Sequence, residues 1–251
     1  MSKLMRVSRC CLLRSLGAAL VAALLAGCPV RPHVPAPPPA AAPLTPAALT
    51  GTRYDIDSGA SLLTVLVYRG GTLASAGHNH VIASHQLSGA VYVPGDVLHA
   101  SFEVHIPVDT LSVDEQELRA REMSPDFPPD VPDSARQGTR RNMLGAALLD
   151  GAQHPEIVLR ALSLQAQAPG GAAAARTVLA RVLTEVRGQQ RAVEVPVDYR
   201  QSGTTLEISG QFPLRQSELG LTPFTAMLGA LAVQDEMRVR IRLVAHAARG
   251  G

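Results

Sequence analysis

The stretch that decides the fold is Met237-Arg238-Val239-Arg240-Ile241-Arg242-Leu243-Val244-Ala245. Apolar residues at 237, 239, 241, 243 and 245 alternate with arginine at 238, 240 and 242. A period of two places alternate side chains on opposite faces of an extended chain, so this is a half-buried strand. The same alternation recurs upstream. Val193, Val195 and Val197 stand against Glu194 and Asp198, and Leu206, Ile208 and Phe212 stand against Glu207, Ser209 and Gln211. Further strands are predicted over 62–68, 86–93, 98–106, 157–164 and 177–187, separated by turn-prone stretches such as Ala168-Pro169-Gly170-Gly171. About eight antiparallel strands with one apolar face each must close or stack. An eight-stranded barrel has an interior wide enough for one small ligand.

Two segments depart from the period of two. Over 134–150, Met143, Leu144, Ala147 and Leu148 lie at helical spacing. Over 216–231 a second helical stripe is predicted from Phe224, Met227, Leu228 and Leu231. The expectation is an all-β, antiparallel, eight-stranded barrel capped by one or two helices, with Phe224 and Met227 packed in the core.

Upstream of the barrel the composition changes twice. Residues 1–27 carry Lys3, Arg6, Arg9 and Arg14 and no acid, then an apolar run from 16 to 26. About eleven apolar residues match a signal-peptide core and fall short of the roughly 20 needed to span a bilayer. Leu25-Ala26-Gly27-Cys28 resembles a bacterial lipobox, which implies lipidation at Cys28. Cys10 and Cys11 lie in the removed part, so Cys28 would be the one cysteine of the mature chain and no internal disulfide could form. Two or three acyl chains make a stable anchor. Pro29 is not the aspartate associated with inner-membrane retention, so the expected location is the periplasmic side of the cell envelope, with the outer membrane preferred. Residues 28–50 are rich in proline and alanine and form a spacer of about 22 residues, reaching some 70 Å at ~3.1 Å per residue. The folded domain spans 51–248.

The net charge of +2 becomes about −2 once the four basic residues of the leader are removed. No basic footprint for nucleic acid survives. There is no Gly-x-Ser-x-Gly elbow and no glycine-rich phosphate loop, so neither nucleophilic nor nucleotide chemistry is indicated and no enzyme activity is expected.

The order of these elements resembles the YceI family, lipocalin-like barrels known as lipid or polyisoprenoid-binding proteins. Tyr54-Asp55-Ile56-Asp57 with Ser61 is similar to the family's opening. Gly77-His78-Asn79-His80 and Leu87-Ser88-Gly89 resemble its small-residue and histidine turn. The middle matches at Arg141-Asn142-Met143-Leu144, Leu149-Asp150 and His154-Pro155-Glu156-Ile157, and the end at Gly210-Gln211-Phe212-Pro213-Leu214, Glu218-Leu219-Gly220-Leu221 and Val233-Gln234-Asp235-Glu236-Met237. The segment Leu183-Thr184-Glu185-Val186-Arg187-Gly188 lacks the histidine many members have. With four Phe, four Tyr and no Trp, the lining must be mostly Val, Leu and Ile.

The resemblance implies an isoprenoid-type ligand, a quinone or polyprenyl lipid, held without any obligatory cofactor; it also implies that homodimers occur. Each buried methylene contributes roughly 0.8 kcal/mol, so an apolar interior alone would retain such a tail. The expected lining, from the apolar parity of each strand, is Phe102, Val104, Val193, Val195, Ile208, Phe212, Met237, Val239 and Ile241. His78 and His80, read as lying in a turn after the first strand, are the expected polar rim for a headgroup. His99 and His105 share the parity of Ser101 and Glu103 and are expected to face solvent. The competing reading is a metal-binding or redox-associated envelope enzyme using His78, His80 and His85, although no carboxylate lies close to them in sequence. A third is an empty barrel serving as a scaffold for protein partners.

Overall fold

The computed structural model describes residues 44–167 and 176–248; the leader, Cys28, the spacer up to residue 43 and the 168–171 turn lie outside them. The strands are β1 (Thr52–Ile56), β2 (Leu62–Val67), β3 (Arg69–Gly70), β4 (His80–Ser84), β5 (Ser88–Val93), β6 (Ser101–Pro107), β7 (Ser112–Val113), β8 (Glu156–Ala166), β9 (Arg176–Val186), β10 (Gln189–Ser202), β11 (Thr205–Arg215), β12 (Thr225–Ala226), β13 (Leu231–Val233) and β14 (Glu236–Ala247). Two α-helices are described, α1 (Gln116–Ala120) and α2 (Asp133–Leu144). Among the described residues no helix is long and apolar enough to cross a membrane.

In the order β1-β5-β6-β8-β9-β10-β11-β14, antiparallel ladders join eight strands, and β14 returns to β1 at Tyr54↔Ala247 to close the barrel. Closure leaves no free edge among these eight strands. Three of them are extended past a break: β1 by β2, β5 by β4 and β6 by β7, with β2 joining β14 beside the β1 contact at Leu62↔Arg242. The first break has a clear local cause. Asp57 accepts the Gly59 and Ala60 N–H groups on its carboxylate and so starts a 3-10 turn at Ser58–Ala60, while the buried Ser61 hydroxyl accepts the Val244 N–H at 3.0 Å. The opening motif therefore turns the chain and satisfies the backbone it disrupts. Where β5 crosses β6, Gly89 has φ +117°, and a Cβ there would sit 2.1 Å from the Glu103 carbonyl oxygen.

The predicted parity holds along β14. Met237, Val239, Leu243 and Ala245 are buried, Ile241 is half-buried, and Arg238 and Arg242 are exposed. In β8 the parity slips at a bulge between Ala161 and Ser163, so that Leu159 and then Leu164 face inward. The same bulge frees the Ala161 carbonyl, which accepts the N–H of Ala47 at 2.8 Å and holds the end of the spacer against the barrel wall. Between β10 and β11 the ladder ends near Pro196, which has no N–H to offer, and the 3-10 turn Gln216–Leu219 packs against β10 beyond that point.

A second, smaller core lies outside the barrel, where Leu66, Val81, Ala83, Leu118 and Phe127 pack together. It explains β4, where all five residues are buried. His80 and Ile82 face the interior and Val81 and Ala83 the outer core, so no polar alternation marks the strand. The expectation that His80 sits in a turn is thus corrected: it opens a strand.

The two helical predictions fare differently. α2 is present but ends at Leu144, before Gly145. Its inward face is Ala135, Gly138, Thr139, Asn142 and Met143, at i, i+3, i+4, i+7 and i+8. Leu148 and Leu149 reach the interior from a turn held by Leu149 N–H to the Met143 carbonyl. The helix predicted over 216–231 does not form. Pro223 lacks the N–H, Gly220 and Gly229 take positive φ, and the segment becomes the hairpin of β12 and β13, paired onward to β3 at Ala232↔Gly70. Met227 is exposed instead of packed in the core, whereas Phe224 lines the interior.

Candidate functional site

The barrel encloses a cavity of about 630 Å³ that runs from Tyr199 and Val97 near one end to Arg69, His78 and Phe224 at the other. That volume is in the range of sites that bury a small ligand. Phe102, Val104, Val193, Val195, Ile208, Phe212, Met237, Val239 and Ile241, the nine residues expected from strand parity, all line it. Valine, leucine and isoleucine, among them residues of β2, β8, β9 and β11, make up most of the remaining lining residues. Among the described residues no aspartate or glutamate faces the space, and Arg69 is the lining residue with a permanent charge. Polar groups concentrate at the end nearer α2, where His78, His80, Thr139, Asn142, Gln216 and Arg69 meet.

At this end a buried chain of polar contacts ties the lid to the wall. His80 Nδ1 lies 2.6 Å from Asp114 Oδ2, and the other carboxylate oxygen accepts the Val81 N–H at 2.9 Å and Arg119 Nη1 at 2.7 Å. With Nδ1 donating to the carboxylate, His80 Nε2 accepts the Thr139 hydroxyl of α2 at 3.0 Å. Arg119 also donates to the Asn79 carbonyl at 2.8 Å and stacks over Phe127 at 5.6 Å. Burial alone would push the Asp114 carboxyl up. The hydrogen bonds from His80 and Val81 and the charge of Arg119 outweigh it and hold this group below the usual carboxylate range. His78, whose ring centre is 6.1 Å from that of His80, is lowered by burial and by repulsion from His80 and Arg119. A neutral imidazole there can both donate and accept a hydrogen bond at the mouth of the cavity.

This arrangement revises the sequence picture of the histidines. A carboxylate does lie beside His80: Asp114, 34 positions later, is delivered by the β4–β7 pairing. His85 turns outward to Glu115 at 3.0 Å, so the three imidazoles do not converge. Among the described residues no three His, Cys, Asp or Glu side chains are placed to hold a metal ion. Asp114, Arg119 and Thr139 were not anticipated. Asp114 and Arg119 follow Val113 and Leu118 in sequence, and a charge beside an apolar residue is ordinary at a surface, so no pattern marks them as interior. On the outer wall, His105 is not free in solvent as its parity suggests. It is half-buried between Glu103 at 2.9 Å and Glu156 at 3.1 Å.

A closed antiparallel barrel with an apolar-lined interior, a helical lid and polar groups at one mouth is an architecture of the lipocalin-like type. The chain belongs to the YceI-like domain family, whose pattern matches residues 54–245. Two solved structures share the fold. Burkholderia cenocepacia BcnA is 18% identical with a TM-score of 0.51, over 76% of this chain and 99% of that one. A polyisoprenoid binding domain from Saccharophagus degradans, implicated in plant cell wall breakdown, is 13% identical with a TM-score of 0.50, over 78% and 98%. A search of curated proteins yields no match.

Proposed function

We propose that this chain is a lipid-anchored envelope protein that binds the tail of an isoprenoid lipid, a quinone or polyprenyl lipid, inside its barrel and does no chemistry on it. The observation that carries the reading is the cavity itself: about 630 Å³ lined mainly by aliphatic side chains, without a carboxylate among the described residues, with most of its polar groups gathered at one mouth. Such a space binds by removing apolar surface from water, at roughly 25 cal/mol per Å², and needs no polar partner along the tail. The nine residues from Phe102 to Ile241 named above contact the tail; at the rim, His78 meets the headgroup, while His80, with both ring nitrogens engaged by Asp114 and Thr139, holds the rim in place. The polyisoprenoid-binding description of the Saccharophagus degradans domain supports this ligand class. The signal-like residues 1–27 and the lipobox-like Leu25-Ala26-Gly27-Cys28 support export and anchoring at Cys28 on the periplasmic side, with the outer membrane preferred.

Mass spectrometry of an organic extract from the purified full chain tests the reading. The expected result is a prenyl lipid in near-stoichiometric amount. An extract free of lipid, together with stoichiometric zinc or iron by elemental analysis, would replace the reading with the metal-based one. A second test is acyl-chain detection on the Cys28 peptide, lost in Cys28→Ser.

A further inference from the structure

Two segments at the His78 end of the barrel carry no Asp, Glu, Lys or Arg: residues 70–79, leading from β3 to β4, and residues 221–234, between the Gln216–Leu219 turn and β14. Together they make 24 uncharged residues in a protein of which 18% is charged. The fold joins them, through Ala232↔Gly70, Leu73 N–H to the Ala230 carbonyl at 2.8 Å and Gln234 N–H to the Tyr68 carbonyl at 2.8 Å. Arg69 and Asp235 bracket them, so charge returns where the loops rejoin the barrel.

The tip of this joined edge is apolar and open to solvent. Leu228 is 109% exposed, Met227 69% and Leu73 41%, three of the five large exposed hydrophobic residues among those described. Met227 and Leu228 are also held at φ +51° and +56°, a backbone region that branched and bulky residues rarely adopt. Directly behind the tip, Leu231, Ala232, Ala76 and Gly77 line the cavity, so the exposed apolar edge runs into the apolar interior, with the Arg69 guanidinium, bonded to the Gly77 carbonyl at 2.9 Å, as the one permanent charge beside that path. A protein interface would ordinarily rim such a tip with charged and hydrogen-bonding groups. An uncharged, apolar-tipped edge fits the interface of a lipid bilayer, where apolar side chains enter and charge is excluded.

We infer that the hairpin tip at Met227 and Leu228, with Leu73, inserts into the surface of a phospholipid bilayer and sets the cavity mouth against it. This rests on the reading of the cavity as a lipid site, and adds the route by which a tail would pass between membrane and barrel without crossing water.

The chain has no tryptophan, so Leu228→Trp gives a single reporter in the full-length protein. Thr204→Trp, in a separate variant, places a reporter at the opposite end, beside the β10–β11 turn. With phosphatidylcholine–phosphatidylglycerol vesicles, the reporter at position 228 is expected to shift to the blue and to be quenched by brominated acyl chains, and the reporter at position 204 to be unaffected. Adding Leu73→Ser and Met227→Ser to the Leu228→Trp background should shift the inserted-to-free ratio by at least about tenfold. Absence of quenching at 228, or equal quenching at both ends, overturns the inference. So does a blue shift without vesicles that grows with protein concentration, which would assign the tip to a second copy of the chain. Lipid extraction reads the cavity separately: quenching at 228 with no extracted prenyl lipid sinks the ligand reading alone, and extracted lipid with a dry reporter sinks the membrane contact alone.

Discussion

Replacing Asp114 with alanine removes three contacts at once, from Arg119 at 2.7 Å, His80 at 2.6 Å and the Val81 N–H at 2.9 Å. The Asp114 side chain is fully buried and that of Arg119 is 1% exposed, so the guanidinium would be left inside without its counter-charge. Breaking a buried pair from one side costs about 3–5 kcal/mol. The orphaned Val81 N–H pushes toward the upper end of that range, though the contacts share a site and do not add. A protein of ordinary stability, about 5–15 kcal/mol, would lose a third or more of it. Urea unfolding followed by far-UV circular dichroism suits a chain without tryptophan. Arg119→Met in the Asp114→Ala background should recover most of the loss, because the buried charge is then gone as well. A loss under about 1 kcal/mol for Asp114→Ala, or no recovery in the double variant, would refute the view of this network as a buried ion pair that anchors the lid. The pH dependence carries the same sign. The Asp114 carboxyl is held below its unfolded value of about 3.8, so its contribution is present above that pH and lost as pH falls through the lower folded value.

Three further outcomes are expected. Gly89→Ala, at φ +117° and against the Glu103 carbonyl, should cost more than about 1 kcal/mol in the same unfolding assay, whereas Gly203→Ala, with open space around it, should cost less. For His105, burial opposes the charge but hydrogen bonds to Glu103 and Glu156 outweigh it and raise the group; its contribution is present below pH 6.5 and fades as pH rises through the higher folded value, so stability should decline above neutrality by under about 1 kcal/mol and flatten in His105→Gln. Val195→Trp, midway along β10 opposite Ala180, should fill part of the cavity and lower recovered prenyl lipid about tenfold or more, while stability changes by about 1–3 kcal/mol.

Where one face of a strand is wet and the other dry, the sequence was enough to read both fold and lining. β14 and β10 announced themselves by alternation, and all nine parity-based residues reach the cavity. Legibility failed where the surroundings were dry on both sides or where the backbone overrode spacing. β4 is hidden by the outer core that buries Val81 and Ala83. The inward face of α2 is Ala135, Gly138, Thr139 and Asn142, small and polar enough that the apolar stripe sought by periodicity falls one turn too late. Over 216–231, leucines and methionine at helical spacing were outvoted by Pro223 and by positive φ at Gly220 and Gly229. Asp114 belongs to the site through strand pairing across 34 positions, which no local pattern encodes.

The bond from Ala47 to Ala161 alters the mechanics of the tether proposed for Cys28. A chain tethered there would pivot at Ala161, midway along β8, and not at the N-terminal end of β1. Nineteen residues separate Cys28 from Ala47, a leash of up to ~59 Å where a free spacer to residue 50 would give ~70 Å. A body slung from its waist can tip either end toward the surface it hangs from. Cutting that one contact would lengthen the leash and move the pivot, so on the proposed anchoring, docking at Ala161 would act on how often the mouth meets the membrane.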